Sequence, residues 1–267
     1  MSAERRARFA ELHGRAQLFV MPNPWDVGSA RLLAADGFDA LATTSAGYAW
    51  SIGKLDQQVT RDELVAHVEE IARATPLPLN VDSERCYPGD EGGIRETVRM
   101  LGDAGAAGFS IEDYDPVTGR IDDLEIALAH LKEALEASRT FDPPLVVTAR
   151  AENHIRGVDN FDDTLRRLSA YSNAGADVIY APGLTALADI ERVVAVGAPV
   201  NILGLPGAPG LEDLSRVGVR RISTGSLLAS AAYGALASVA SELRARGIWD
   251  YGAQRLTRDA ADAAFRS

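Results

Sequence analysis

Cysteine is nearly absent: Cys86 is the only one in 267 residues. No intramolecular disulfide can form, which fits a reducing compartment, and there is no Cys/His cluster of the kind zinc selects. Positive charge is also in deficit. The 27 Lys and Arg stand against 38 Asp and Glu, a net charge of −11, and such a surface repels a phosphate backbone, so nucleic acid is a poor partner. Long apolar runs are missing too. The greasiest stretch, Leu227 to Val239, is too short and too rich in Ala, Ser and Gly to span a bilayer, and the opening MSAERRARFAELH has no apolar core of signal-peptide length. The expectation is a soluble, cytoplasmic protein with no membrane partner. No G-x-G-x-x-G follows a first strand and no Walker A motif occurs, which argues against an NAD-dependent oxidoreductase.

What is present is a repeat of short apolar runs and longer amphipathic ones. Strand-like runs are Leu18–Met21, Ala40–Thr43, Leu79–Val81, Gly108–Ile111, Leu145–Thr148, Val178–Tyr180, Val200–Leu203 and Arg221–Thr224. Helical runs lie between them, at about Val27–Asp36, Arg61–Ala74, Gly92–Gly105, Asp122–Ala137, Phe161–Asn173, Ala186–Val196 and Gly210–Val217, with Ser226–Gly247 after the last strand. Strands without alternation suggest burial on both faces, as a parallel sheet requires. Eight β/α units in one unbroken chain predict a single (β/α)8 TIM barrel over residues 1–267. An additional N-terminal helix near Ala3–His13 would close its floor, and the segment Asp250–Ser267 reads as one or two further C-terminal helices. Asp26, just before VGSARLLAA, reads as an N-cap.

Barrel chemistry sits at the C-terminal ends of the strands. There the sequence places Thr44-Ser45-Ala46-Gly47 after strand two, Asp56 in the following turn, and Asp82-Ser83-Glu84 after strand three. Glu112-Asp113 follow strand four, and Arg150-Ala151-Glu152-Asn153-His154 follow strand five. Oxygen-only acids suit a hard cation such as Mg²⁺, with Mn²⁺ as the alternative. Arg150 offers a fixed fork for a carboxylate, and the hydroxyl/Gly loop offers peptide N–H groups. Together they would grip a 2-oxo carboxylate and stabilise its enolate.

At these residues the sequence resembles the isocitrate lyase/phosphoenolpyruvate mutase superfamily. The likeness runs through NPWDVGSARLLAADGFDAL, TTSAG, GKLD, VDSE, GAAGFSIED, TARAEN, LSAYSNAGADVIYAPG and RISTGS. It implies a Mg²⁺-bearing barrel whose substrates share a pyruvate enolate core. It also implies homotetramers, often with the C-terminal helix exchanged between subunits; the expectation for this chain is a homo-oligomer, dimer or tetramer. Carried over by position, Asp82 is the principal metal ligand, with Glu84 and Glu112 as further acids. Asp56 touches metal-bound water, Thr44, Ser45 and Ala46 bind the substrate carboxylate, and Arg150 binds the oxo acid; Arg150, Glu112 and Asp56 form the catalytic set.

The chain lacks the K-K-C-G-H motif of the superfamily lyases. The stretch after I-E-D is only DYDPVTGRIDD, with no Lys, where phosphonate-processing members have a longer gating loop. Tyr114 and Arg120 on this short stretch are the substitutes to consider. Tyr48 and Trp50 either line the pocket or wedge the loop, with Tyr48 taken as substrate-binding. Cys86 is either site-facing or inert packing, His154 either an acid–base or a loop histidine, and Lys54 either an offset to the acidic site or a solvated side chain. The leading expectation is a Mg²⁺-dependent lyase or decarboxylase acting on a small 2-oxo acid or dicarboxylate. The alternatives are a phosphoenolpyruvate/phosphonopyruvate mutase or hydrolase, and a non-catalytic 2-oxo acid binding protein.

Overall fold

The computed structural model describes residues 2–247 and 255–266. Among the described residues ten strands form: β1 (Phe19–Met21), β2 (Leu41–Ala42), β3 (Leu79–Asp82), β4 (Gly108–Glu112), β5 (Tyr114–Asp115), β6 (Arg120–Ile121), β7 (Val146–Arg150), β8 (Val178–Tyr180), β9 (Val200–Leu203) and β10 (Arg221–Ser223). Eight make one parallel sheet in the order β1-β10-β9-β8-β7-β4-β3-β2, while β5 and β6 pair antiparallel as a small hairpin. The ring is nearly closed. Across the seam, Ala42 N donates to the Pro22 carbonyl at 3.0 Å and Asn23 Nδ2 donates to the Thr43 carbonyl at 2.7 Å. Asn23 Oδ1 also accepts from Thr224 N and Gly225 N, so one amide ties three neighbouring strand ends.

Helices follow as expected: α1 (Ser2–Gly14), α2 (Val27–Ala35), α3 (Ser45–Ser51), α4 (Arg61–Ala74), α5 (Gly93–Asp103), α6 (Leu124–Ser138), α7 (Phe161–Ala174), α8 (Leu187–Val194), α9 (Leu211–Arg216), α10 (Leu227–Arg246) and α11 (Arg258–Phe265). Asp26 does cap α2: its side chain accepts from Ser29 N at 2.6 Å within a reciprocal capping box. Helix α3 replaces what the sequence suggested was a loop. Its signal is Thr44, an N-cap whose hydroxyl accepts from Gly47 N. Helix α11 packs on α2; part of the expected Asp250–Ser267 helical segment, residues 250–254, lies outside the described residues. No described helix is long and apolar enough to cross a membrane.

Two apolar layers hold the barrel. Between strands and outer helices, Val81, Phe109, Val147 and Ile179 pack with Ile71, Val98 and Leu168, all buried. Each such side chain contributes about 1.5–3 kcal/mol relative to exposure. Helix α1 plugs the floor with Phe9 and Leu12, which pack with Phe19, Met21 and Val146. The plug presses so closely that a Cβ on Gly108 would stand 2.6 Å from the Val146 carbonyl and 2.7 Å from Phe9. With the floor sealed, the interior of the barrel opens towards the C-terminal ends of its strands.

Candidate active site

Asp82, Glu112 and Arg150 are the last residues of β3, β4 and β7. The parallel register sets Glu112 beside Arg150 and Arg150 beside Tyr180. All three line a cavity of about 170 Å³ at the barrel mouth. Arg150 is its centre. Nη1 donates to Asp82 Oδ1 at 2.6 Å, Nε donates to Glu152 Oε1 at 3.0 Å, and Nη2 pairs with Glu112 Oε2 at 3.1 Å. A second guanidinium, Arg156, lies 3.4 Å from both Glu112 and Glu152.

Burial, followed by the charge of Glu152, pushes the Glu112 carboxyl well above its ordinary range; burial raises Glu152 as well. Burial alone would lower Arg150, but the charges of Glu152, Asp82 and Glu112 outweigh it and hold the cation firmly protonated. The mouth is therefore a tight acid–arginine cluster in which burial favours the protonated forms of Glu112 and Glu152 more than water would.

The other expected residues separate into two groups. Thr44, Ser45 and Asp56 line the cavity. Ser45 N donates to Asp82 Oδ2 at 3.1 Å, and Asp82 N donates to Thr43 Oγ1 at 2.9 Å, so the loop and the acid position each other. Ala46, Tyr48 and Glu84 are not among the lining residues. Tyr48 points elsewhere. Helix α3 starts at Ser45 and carries the ring away, to stack on His67 at 3.7 Å with its hydroxyl donating to the Glu63 carbonyl. Glu84 is buried in a left-handed turn at φ 50°, and its carbonyl accepts from Glu112 N at 2.9 Å. Burial first, then Asp82 and Asp56, pushes its carboxyl up to about 8.

Among the described residues no three acids or histidines converge as a ready-made cation cage, so Asp82, Glu84 and Glu112 do not form one together. The donor set nonetheless fits a hard cation that keeps most of its waters. It is all oxygen, and the buried atoms Gln57 Oε1, Glu84 Oε1 and Glu152 Oε2 have no hydrogen-bond partner.

Several contributors were given no role from the sequence, Glu152 and Asp113 among them although both stand at the strand ends named above. Gln57, at φ 65°, donates to Glu112 Oε1 at 3.0 Å. Glu152 and Arg156 complete the charge cluster. Asp113 fixes it from behind, accepting from Glu152 N at 2.9 Å, Tyr171 Oη at 2.6 Å and Arg167 Nη1 at 3.1 Å. Asn80, Asn201, Ser223 and Arg221 line the cavity lower down; a polar residue inside an otherwise apolar strand was the available signal for them. Tyr114 lies under Arg156, 3.6 Å from ring centre to guanidinium, whereas Arg120 ends exposed on the hairpin. Cys86 is fully buried, its thiol pushed up to about 12 by burial, which suits packing and not catalysis. His154 is not a lining residue, and Lys54 pairs with Glu63 at 2.5 Å.

A sealed (β/α)8 barrel with acids and an arginine on successive strand ends defines a class built to hold a small anionic ligand at its mouth. Within that class, the chain belongs to the phosphoenolpyruvate phosphomutase family, whose model matches residues 9–244. It is 34% identical over 239 residues to an uncharacterized protein of Mycobacterium tuberculosis, covering 87% of each chain. It is also 34% identical over 170 residues to an oxaloacetate decarboxylase of Rhodopseudomonas palustris (strain ATCC BAA-98 / CGA009), covering 61% of this chain and 57% of that one. Among solved structures, a candidate lyase/mutase from Burkholderia cenocepacia J2315 superimposes with a TM-score of 0.94 at 40% identity, covering 100% of this chain and 97% of that chain.

Proposed function

We propose that the protein is a divalent-metal-dependent lyase that breaks a C–C bond of a small 2-oxo acid or related dicarboxylate, by cleavage or decarboxylation. The observation that carries this reading is the Arg150 fork, set among Asp82, Glu112 and Glu152 at the mouth of a small cavity. Family membership and the resemblance to oxaloacetate decarboxylase support it. Asp82 would hold the cation directly, with Asp56, Glu84 and Glu112 reaching it through water. When bound, Mg²⁺ or Mn²⁺ supplies Lewis-acid polarisation of the 2-oxo group.

The chain's own groups do the rest. Arg150 holds the substrate carboxylate, helped by the Thr44–Ser45 peptide groups. The breaking C–C bond leaves its electron pair in an enolate. Burial, followed by the charge of Glu152, favours the protonated form of Glu112, which makes it the group assigned to deliver a proton to the enolate carbon. The segment after Glu112 and Asp113 is only the β5–β6 hairpin, which carries no lysine for a phosphoryl group.

The test is incubation with Mg²⁺ and, separately, oxaloacetate, a methylisocitrate-type acid and phosphonopyruvate, with products read by mass spectrometry. Cleavage of a 2-oxo or 2-hydroxy diacid supports the proposal, and turnover of phosphonopyruvate alone overturns it. Calorimetric binding of a 2-oxo acid without any product would make the protein a binding protein instead.

The same reading extends to assembly and place: a cytoplasmic homo-oligomer, dimer or tetramer, with C-terminal helices exchanged between subunits. Its support is α10, a helix of 20 residues of which only Ala229 is buried, with Leu236 62% exposed.

A further inference from the structure

The barrel holds a second cation that no acid meets. Arg221, the first residue of β10, is 1% exposed and lines the lower part of the same cavity. Its Nε donates to Asn201 Oδ1 and its Nη2 to Thr148 Oγ1, both at 2.9 Å. Its Nη1 lies 3.1 Å from His13 Nε2. His13 Nδ1 stands 2.8 Å from the Phe9 carbonyl, which can only accept. The proton therefore sits on Nδ1, and Nε2 receives the arginine. Burial pushes His13 down to about 3, so the ring is neutral.

All three partners are thus uncharged, and they use three of the five guanidinium N–H donors. Among the described residues no Asp or Glu pairs with Arg221, and burial pulls it down to about 9. A buried cation without a counter-charge is costly to keep, and an apolar residue would pack the barrel more cheaply. Arg150 above has three acids, whereas Arg221 below has spare donors and unbalanced charge. The lower cavity is complementary to an anion.

We propose that Arg221 receives the second carboxylate of a dicarboxylic 2-oxo acid whose first carboxylate is held by Arg150, so that the cavity selects diacids over monoacids. This rests on the 2-oxo acid reading of the mouth. A volume of about 170 Å³ has room for a small acid.

The matched probes are 3,3-difluorooxaloacetate and 3,3-difluoro-2-oxobutyrate, which differ only in a carboxylate against a methyl group. They are titrated calorimetrically with Mg²⁺ present. The wild type is expected to bind the diacid at least about tenfold more tightly, the scale of one charge-assisted contact. Arg221→Met should erase that preference by weakening the diacid alone. Asn201→Asp keeps Arg221 and its packing but gives it a permanent carboxylate. It should weaken the diacid by about tenfold while raising the melting temperature.

If the wild type binds both acids equally, or Asn201→Asp raises the melting temperature and leaves the preference intact, Arg221 is only a strut between α1, β7 and β9. If neither acid binds the wild type, the 2-oxo acid reading itself falls.

Discussion

Replacing Arg150 by Lys probes the centre of the site. One planar fork reaches Asp82 at 2.6 Å, Glu152 at 2.9 Å and Glu112 at 3.1 Å. An ammonium is a compact point charge that can satisfy one of these acids well. Two charge-assisted contacts are then lost, a gross cost of about 3–6 kcal/mol at roughly 1.5–3 each. Part of this returns because Glu112 and Glu152, already raised by burial, take up protons. The expected net loss is about 2–4 kcal/mol near pH 8. The direction with pH follows from that uptake. Less cation raises the folded-state pKa of both carboxyls further, and a raised carboxyl favours the folded state at low pH, so the deficit should shrink by pH 5. Urea denaturation at both pH values measures it. The ligand loses its two-point grip as well, and affinity for a 2-oxo acid should fall by one to two orders of magnitude, on the order of 1.5–3 kcal/mol. A large stability loss with unchanged affinity would refute the binding role and leave Arg150 as a counter-ion. Unchanged stability at both pH values would refute the electrostatic reasoning.

Asp82→Ala should abolish the Mg²⁺-dependent rise in melting temperature while circular dichroism stays that of the parent, since the barrel core does not use this side chain. His67 is 3% exposed and held down to about 4 by burial against 6.5 in the unfolded chain. Its contribution is therefore present above pH 6.5 and lost as pH falls towards 4, at most about 3 kcal/mol. His67→Phe, which keeps the stack on Tyr48, should make the urea midpoint less pH-dependent over that window, and an unaltered slope would show that the histidine is not buried neutral. Light scattering at micromolar concentration should give a dimer or tetramer; a monomer would leave α10 a bare surface helix.

The fold was legible because each β/α unit carries its own local evidence. GADVIY, for instance, pairs a helix stop with a strand buried on both faces, and β8 falls where that run lies. The acids at the strand ends were legible for the same reason, since position in the unit fixes which end of the barrel they reach. Tyr48 was not, because its direction depends on whether Thr44 starts a turn of helix or a loop, and a Gly two residues after Ser45 suits both. Gln57, Arg156 and Arg221 were hidden by distance along the chain. Arg221 meets His13 across 208 residues, and no local pattern encodes that contact. The β5–β6 hairpin was missed because its strands have two residues each, too short for periodicity, although Asp115 and Gly119 mark its turn.

The Asn23 seam gives the barrel the mechanics of a hoop with a clasp. Seven joints are welded by backbone ladders, and their stiffness is shared around the ring. The eighth is fastened by one peptide contact and one side chain, beside Thr43 and Thr44, which border the cavity. With fewer ties among the described residues than the laddered joints have, this seam is where the ring is expected to yield first, and its upper end borders the cavity.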